Sequence, residues 1–246
     1  MSKSIFATAL LVSLSAATHL VGAWPEGKES DKFQTSKGEL EIVFLGHSSL
    51  IFALNGAYTY VDPVSQYANY ENFPKADLIL ITHEHADHLD PKAIAALSTP
   101  KTRVVLAPGA MHKFGKGEVL EHGKSIGAAG LTVSAVAAYN VTPERLGYHP
   151  KERKDNGYII EVGTTRIYVA GDTEPIPEMA SLGAVGIAFL PMNLPFTMTP
   201  LQVAAAARTI RPKILYPYHF GSTNTKELVD LLKDEKGIEV RVRKLN

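Results

Sequence analysis

The chain reads as a single α/β domain built from two successive rounds of short strands, each followed by helices. Two observations carry this. Residues 40–45, 49–54 and 58–61 are short apolar or alternating runs, split by Gly46-His47 and by the hairpin signal Asn55-Gly56. Later, Asp90-Pro91 and Thr199-Pro200 each set a capping residue before a proline at the first helical position. No Pro/Gly/Ser linker divides the two rounds and no sequence repeat is evident, so the pattern permits either two-layer or four-layer packing.

Taken in order, residues 24–38 turn polar around Pro25 and Gly27 and read as a surface arm, leaving 39–246 as the domain. Strands follow at 40–45, 49–54 and 58–61, the last closed by Asp62. The apolar run 77–82 is the next strand, Asp90-Pro91 opens a helix over 92–97, residues 103–107 are a strand and 109–114 a short helix. Residues 115–130 are Gly-rich with a weak hairpin near 118–122, and 131–138 alternate as a strand. Residues 141–156 form a loop that is long by ordinary connection lengths, carrying Tyr148, His149 and the basic Lys151, Arg153 and Lys154. Strands 157–162 and 165–170 make a hairpin that runs into Gly171-Asp172-Thr173, where glycine permits close backbone approach. A short helix over 175–182, a buried strand over 185–190 and a loop over 191–200 follow. In that loop Met192, Phe196 and Met198 are candidates for an apolar pocket wall. A helix through 204–207, a strand over 213–218 ending at His219, a helix over 225–234 and a strand over 238–245 complete the chain.

Composition excludes several classes. Lys plus Arg and Asp plus Glu each total 25, so no global field draws the chain to nucleic acid, and a nuclease is disfavoured. With 45% apolar and 20% charged residues and no run of roughly 18 apolar residues, no membrane span is expected. The absence of cysteine removes disulfides, thiolate ligands and a cysteine nucleophile together. Lys3, the apolar stretch 5–14 and Val21-Gly22-Ala23 follow the order of a secretory signal peptide over residues 1–23. A secreted or periplasmic enzyme starting near Trp24 is the expectation, with a packed helix or an uncleaved anchor as the alternatives.

The chemistry concentrates in His83-Glu84-His85-Ala86-Asp87-His88, directly after an apolar strand. Imidazole and carboxylate suit Zn²⁺, Mn²⁺ or Fe²⁺, and a strand end entering a turn lets His83 and His85 converge on one ion while Asp87 and His88 serve a second. Asp62 stands where a carboxylate can accept the free ring N–H of a ligand histidine, and His47 lies on a turn between strands. His112 and His122 have no partner pattern and read as surface histidines.

His83-x-His85-x-Asp87-His88, Ile167-Tyr168-Val169-Ala170-Gly171-Asp172-Thr173 and Tyr216-Pro217-Tyr218-His219 together resemble the metallo-β-lactamase fold superfamily. With Gly46-His47-Ser48-Ser49, the likeness is greatest to its ascorbate-phosphate lactonase and N-acylphosphatidylethanolamine phospholipase D branch, over about residues 39 to 222. The resemblance implies a four-layer αββα sandwich with the metals at one rim, Asp172 bridging and His219 the last ligand. One departure stands out: Tyr139-Asn140 occupies the place of a further histidine ligand. Either His149 folds back to supply it, or the first position is weak and a single ion binds tightly.

The implied activity is metal-dependent hydrolysis of a small-molecule ester, lactone, amide or phosphodiester. A metal-bound water falls to a pKa of roughly 7 and furnishes hydroxide, and Asp87 or Asp172 carries the proton to the leaving group. The metal set is His83, His85, Asp87, His88, His149, Asp172 and His219, holding one or two Zn²⁺, with Mn²⁺ or Fe²⁺ as alternatives. The competing reading is a catalytically silent metal-binding scaffold that senses or carries a small ligand, and Asn140 is its main support.

Overall fold

The computed structural model describes residues 24–245; residues 1–23, where a signal peptide is expected, lie outside them. Strands β1 (Glu29–Thr35), β2 (Gly38–Gly46), β3 (Ser49–Leu54) and β4 (Ala57–Val61) pair antiparallel in chain order. The sheet then continues in parallel through β5 (Leu78–Ile81), β6 (Arg103–Leu106) and β7 (Glu118–Val119). The second sheet repeats this plan. β8 (Ser125–Ala128), β9 (Leu131–Ala138), β10 (Asp155–Val162) and β11 (Thr165–Val169) are antiparallel, and β12 (Ile187–Pro191), β13 (Ile214–Tyr218) and β14 (Glu239–Val240) follow in parallel. Parallel neighbours need crossovers. They are supplied by α1 (Pro91–Leu97) and α2 (Pro108–Phe114) in the first half and by α3 (Pro200–Ile210) and α4 (Thr225–Leu232) in the second.

Period-two alternation sorts the layers. On β2, Leu40, Ile42 and Phe44 enter the cluster shared with the second sheet, while Val43 and Leu45 turn to α1 and α2. On β5, Leu78 and Leu80 face the second sheet and Ile79 and Ile81 the helices. Phe44, Phe189 and Tyr216 stack between the sheets, with centroids 4.9 to 6.3 Å apart. On the far side, Val203, Ala204, Ala207 and Leu228 seat α3 and α4. The order is therefore helices, sheet, sheet, helices: the αββα sandwich.

Three element expectations are corrected. Residues 24–38 are not a surface arm throughout: β1 pairs with β2 from Glu29↔Phe44 to Thr35↔Gly38, so the domain begins before residue 39. An edge strand has one free side, which lets charged residues such as Asp31 and Lys32 take part. The strand expected over 238–245 pairs only at Glu239–Val240, although Leu245 is buried and its carbonyl accepts the His47 N–H. The helix expected over 175–182 is a 3₁₀ turn, Pro177–Ser181. Among the described residues no helix is long and apolar enough to cross a membrane.

Candidate metal centre

Strand ends from both sheets deliver the site. His83, His85, Asp87 and His88 follow β5, Asp172 follows β11, His219 follows β13, and His47 sits in the β2–β3 turn. His47, Asp62 and His219 all adopt positive φ (55°, 43° and 48°), sparsely populated for such residues and characteristic of backbones bent to aim a side chain. Gly171 at φ +66° has its missing Cβ 2.5 Å from the Asn156 carbonyl oxygen, so only glycine lets this strand end carry Asp172 inward.

The histidines gather in two groups. His47, Asp87, His88 and His219 bring ligand atoms within 4.8 Å of one another, and so do His83, His85 and His149. Asp172 lies between them. Its Oδ1 is 3.5 Å from His88 Nε2, and its Oδ2 is 3.1 Å from His219 Nε2, 3.4 Å from His149 Nε2 and 4.0 Å from His83 Nε2. Asp87 Oδ2 reaches His47 Nε2 at 3.1 Å, His219 Nε2 at 3.4 Å and His88 Nε2 at 3.8 Å.

His149 rather than Asn140 joins His83 and His85. The Asn140 side chain turns away and donates to the carbonyls of Arg145 and Phe196 at 3.1 and 2.8 Å, while its backbone N–H is bonded to the His149 carbonyl. The loop is moored by Glu174, which is fully buried and accepts from the Val141 and Thr142 N–H groups, the Thr142 hydroxyl, Arg145 and Gln202.

Support of the ring nitrogens differs between the groups. His88 Nδ1 donates to Asp62 Oδ2 at 2.7 Å, and Asp62 also accepts from the Thr82 N–H and hydroxyl, the carboxylate arrangement expected beside a ligand histidine. His85 Nε2 and His149 Nδ1 instead meet Arg153 Nη1 and Nη2 at 2.9 and 3.0 Å. The basic stretch is thus split: Arg153 points inward, while Lys151 lies outside against Tyr139 and Glu178, so no single basic patch forms.

Charge follows from this packing. Burial opposes charge on His88, yet Asp172 and Asp62 on either side raise its imidazole well above the ordinary value. Burial would raise the Asp172 carboxyl, but His219 and His88 hold it well below the usual carboxylate range. Burial lowers His83 strongly, and burial together with Arg153 pushes His85 down to about 4, so both are neutral imidazoles at neutral pH. Asp87 is held low, against burial, by the His219 imidazole beside it and by the His47 hydrogen bond.

The donor set fits a divalent ion. His83 Nε2, His88 Nε2, both His219 ring nitrogens and Asp172 Oδ1 are buried without any hydrogen-bond partner. Buried polar atoms are ordinarily satisfied, and several unsatisfied ones converging on shared space suit cation coordination.

Other expected site residues fall elsewhere. Met192 and Met198 are fully buried and belong to the core cluster between the second sheet and its helices. Phe196 is 40% exposed and meets Tyr148 edge to face at 5.0 Å. His112 and His122 stay exposed and outside both groups. His47, outside the expected ligand set, belongs to the second group; its positive φ was not readable from the sequence, though Gly46 before it hints at a bent turn.

This two-sheet fold and its converged His/Asp cluster define a hydrolase of the metallo-β-lactamase fold. A family model described as a beta-lactamase superfamily domain matches residues 41–219, and the chain belongs to that family. It is 28% identical over 204 residues to a metal-dependent hydrolase of Methanopyrus kandleri, covering 74% of this chain and 85% of the relative. A metal-dependent hydrolase of Symbiobacterium thermophilum is 30% identical over 181 residues, covering 67% and 73%. A crystal structure from Parabacteroides distasonis matches with a TM-score of 0.86 and 51% identity, covering 89% of this chain and all of that one. A metallo hydrolase of Ignicoccus hospitalis shares the fold at a TM-score of 0.71 and 21% identity, covering 84% and 96%.

Proposed function

We propose that this metal-dependent hydrolase uses two divalent ions to hydrolyse an ester, lactone, amide or phosphodiester bond of a small molecule. The observation that carries the reading is the set of buried, unpartnered ring nitrogens on both sides of the Asp172 carboxylate. His83, His85 and His149 would hold one ion, Asp87, His88 and His219 the other, and Asp172 both. Zn²⁺ suits an all-imidazole and carboxylate set, with Mn²⁺ or Fe²⁺ as the next choices. Such ions lower the pKa of water and polarise the bond under attack.

The chain's own residues do the rest. Asp172 is buried and held ionised, so it fixes the spacing of the two groups. The Asp87 side chain is 42% exposed and within reach of solvent and substrate, which makes it the better carboxylate to pass a proton to the leaving group. Burial lowers His47, so its neutral Nε2–H donates to Asp87 Oδ2 and steadies that carboxylate. The silent-scaffold reading drew on Asn140 in a ligand's place, and the grouping of His149 with His83 and His85 favours the hydrolase reading over it.

The test is metal analysis plus a phosphodiester, lactone, ester and amide panel on protein lacking residues 1–23, with His88→Ala combined with His219→Ala. The parent should carry tightly held metal and hydrolyse at least one class, and the double variant should lose both. Full metal stoichiometry in the double variant would sink the assignment.

A further inference from the structure

The two halves of the centre are supported by groups of opposite kind. His88 donates Nδ1–H to the Asp62 carboxylate, so in the neutral ring the lone pair is on Nε2, which faces Asp172 and Asp87. That is the tautomer a metal ligand needs. Arg153 does the reverse. A guanidinium only donates, so His85 Nε2 and His149 Nδ1 must offer it their lone pairs. In a neutral ring the proton then sits on the other nitrogen. For His149 that is Nε2, 3.4 Å from Asp172 Oδ2 and facing the shared space.

The seat of Arg153 is built. Its side chain is 14% exposed, and Nε donates to both Asp155 oxygens at 2.8 and 3.0 Å. Gly109, in the first turn of α2, makes room for it: a Cβ there would lie 2.8 Å from Arg153 Cγ and 3.0 Å from its carbonyl oxygen. Two further carboxylates mark the alternative arrangement. Asp155 Oδ2 stands 3.5 Å from His149 Nδ1, ready to accept a proton there once the guanidinium leaves. Glu84 Oε1, on the outer rim, lies 3.9 Å from Arg153 Nη1 and can receive it.

We infer that Arg153 is a latch on the three-histidine position. Seated, it holds the His149 proton on Nε2, toward the shared space, engages the His85 Nε2 lone pair and adds a positive charge beside both rings; turned toward Glu84, it frees His149 to bind through Nε2 with Asp155 on Nδ1. The two positions therefore fill in sequence, the Asp62-supported one first. The inference rests on the two-ion reading above and concerns the order and strength of loading.

The experiment titrates metal-stripped full chain with Zn²⁺ and with Mn²⁺ by calorimetry, alongside Arg153→Met and Gly109→Ala, and records histidine tautomers by ¹⁵N NMR before metal is added. The parent should show one tight and one weak ion, with His149 protonated on Nε2. Arg153→Met should tighten the weak ion about 10- to 100-fold, the range by which groups around ligands alter metal affinity, and move the His149 proton to Nδ1. Gly109→Ala, which crowds the seat, should act in the same direction. In both variants an unchanged tight ion reports an intact fold. A weak ion that loosens or stays put when Arg153 is removed overturns the latch, because a merely supporting arginine predicts that result. Two equally tight ions in the parent overturn it as well. A parent that binds no ion overturns the metal centre itself, and the latch with it.

Discussion

Asp62→Asn isolates the contribution of the His88 support. In the parent, Asp62 Oδ2 accepts from His88 Nδ1 at 2.7 Å and from the Thr82 hydroxyl at 2.6 Å, while Oδ1 accepts the Thr82 N–H at 2.8 Å. Asparagine keeps one oxygen for the Thr82 N–H and tolerates the φ of 43°, so the backbone has no reason to move. Its amide nitrogen, however, points N–H at a ring nitrogen that already carries a proton. The neutral ring that could bind an ion must then carry its proton on Nε2, the nitrogen that faces Asp172, and that closes it to the ion. A hydrogen bond to a charged group is worth about 1.5–3 kcal/mol, which corresponds to a tenfold to hundredfold change in affinity. Calorimetric titration should therefore show the tight ion weakened about 10- to 100-fold, in line with the usual effect of losing such a support. Thermal melts of the stripped protein serve as the fold control. A cooperative melt together with an unchanged metal affinity would refute the tautomer reasoning.

His149→Ala should weaken one ion and leave the tight one in place, whereas Asn140→Ala should disturb the loop through its bonds to Arg145 and Phe196 without changing ligand number; metal content after mild chelation separates them. Burial works against charge on Glu174, but its Thr142 and Val141 hydrogen bonds lower its pKa below the ordinary 4.5. Its stabilisation is therefore complete above that value and is lost as pH falls through the lowered folded one. Acid titration followed by a Tyr148 or Phe196 probe should show loop release in that window, and Glu174→Gln should flatten it; an identical acid limb in the variant counts against the mooring. Gly171→Ala should destabilise the chain and loosen both ions, since its Cβ strikes the Asn156 carbonyl, and a variant with parental melting and metal content would contradict this. Exported protein should begin near Trp24, and N-terminal sequencing that finds Met1 or Ser2 in mature protein rejects a cleaved signal peptide.

How much was legible depended on how local each signal was. Four site residues lie within one hexapeptide after an apolar strand, which marks them locally, while Asp172 and His219 end strands of their own and were singled out by the resemblance those strand ends carry. His149 required a loop to fold back, which no local pattern encodes, and the choice between it and Asn140 was decided by tertiary hydrogen bonds to Phe196 and Arg145. Arg153 resembled a solvated basic residue because its inward turn depends on the absent side chain of Gly109, 44 positions away by number. β1 was hidden by its charges, which an edge strand tolerates. Met192 and Met198 fit a pocket wall and a core equally well by composition, and only the loop's path separates the two uses.

The repeated plan of the two sheets distributes the ligands in a particular way. His47, His83, His85, Asp87 and His88 hang from the first sheet, while His149, Asp172 and His219 hang from the second. Neither sheet alone can assemble a full coordination sphere. An ion that loads here reports that both have docked in register, and once loaded it cross-links them: at a thousandfold excess over its Kd it adds about 4 kcal/mol to the docked form alone. Loading of the centre thus doubles as proofreading of assembly.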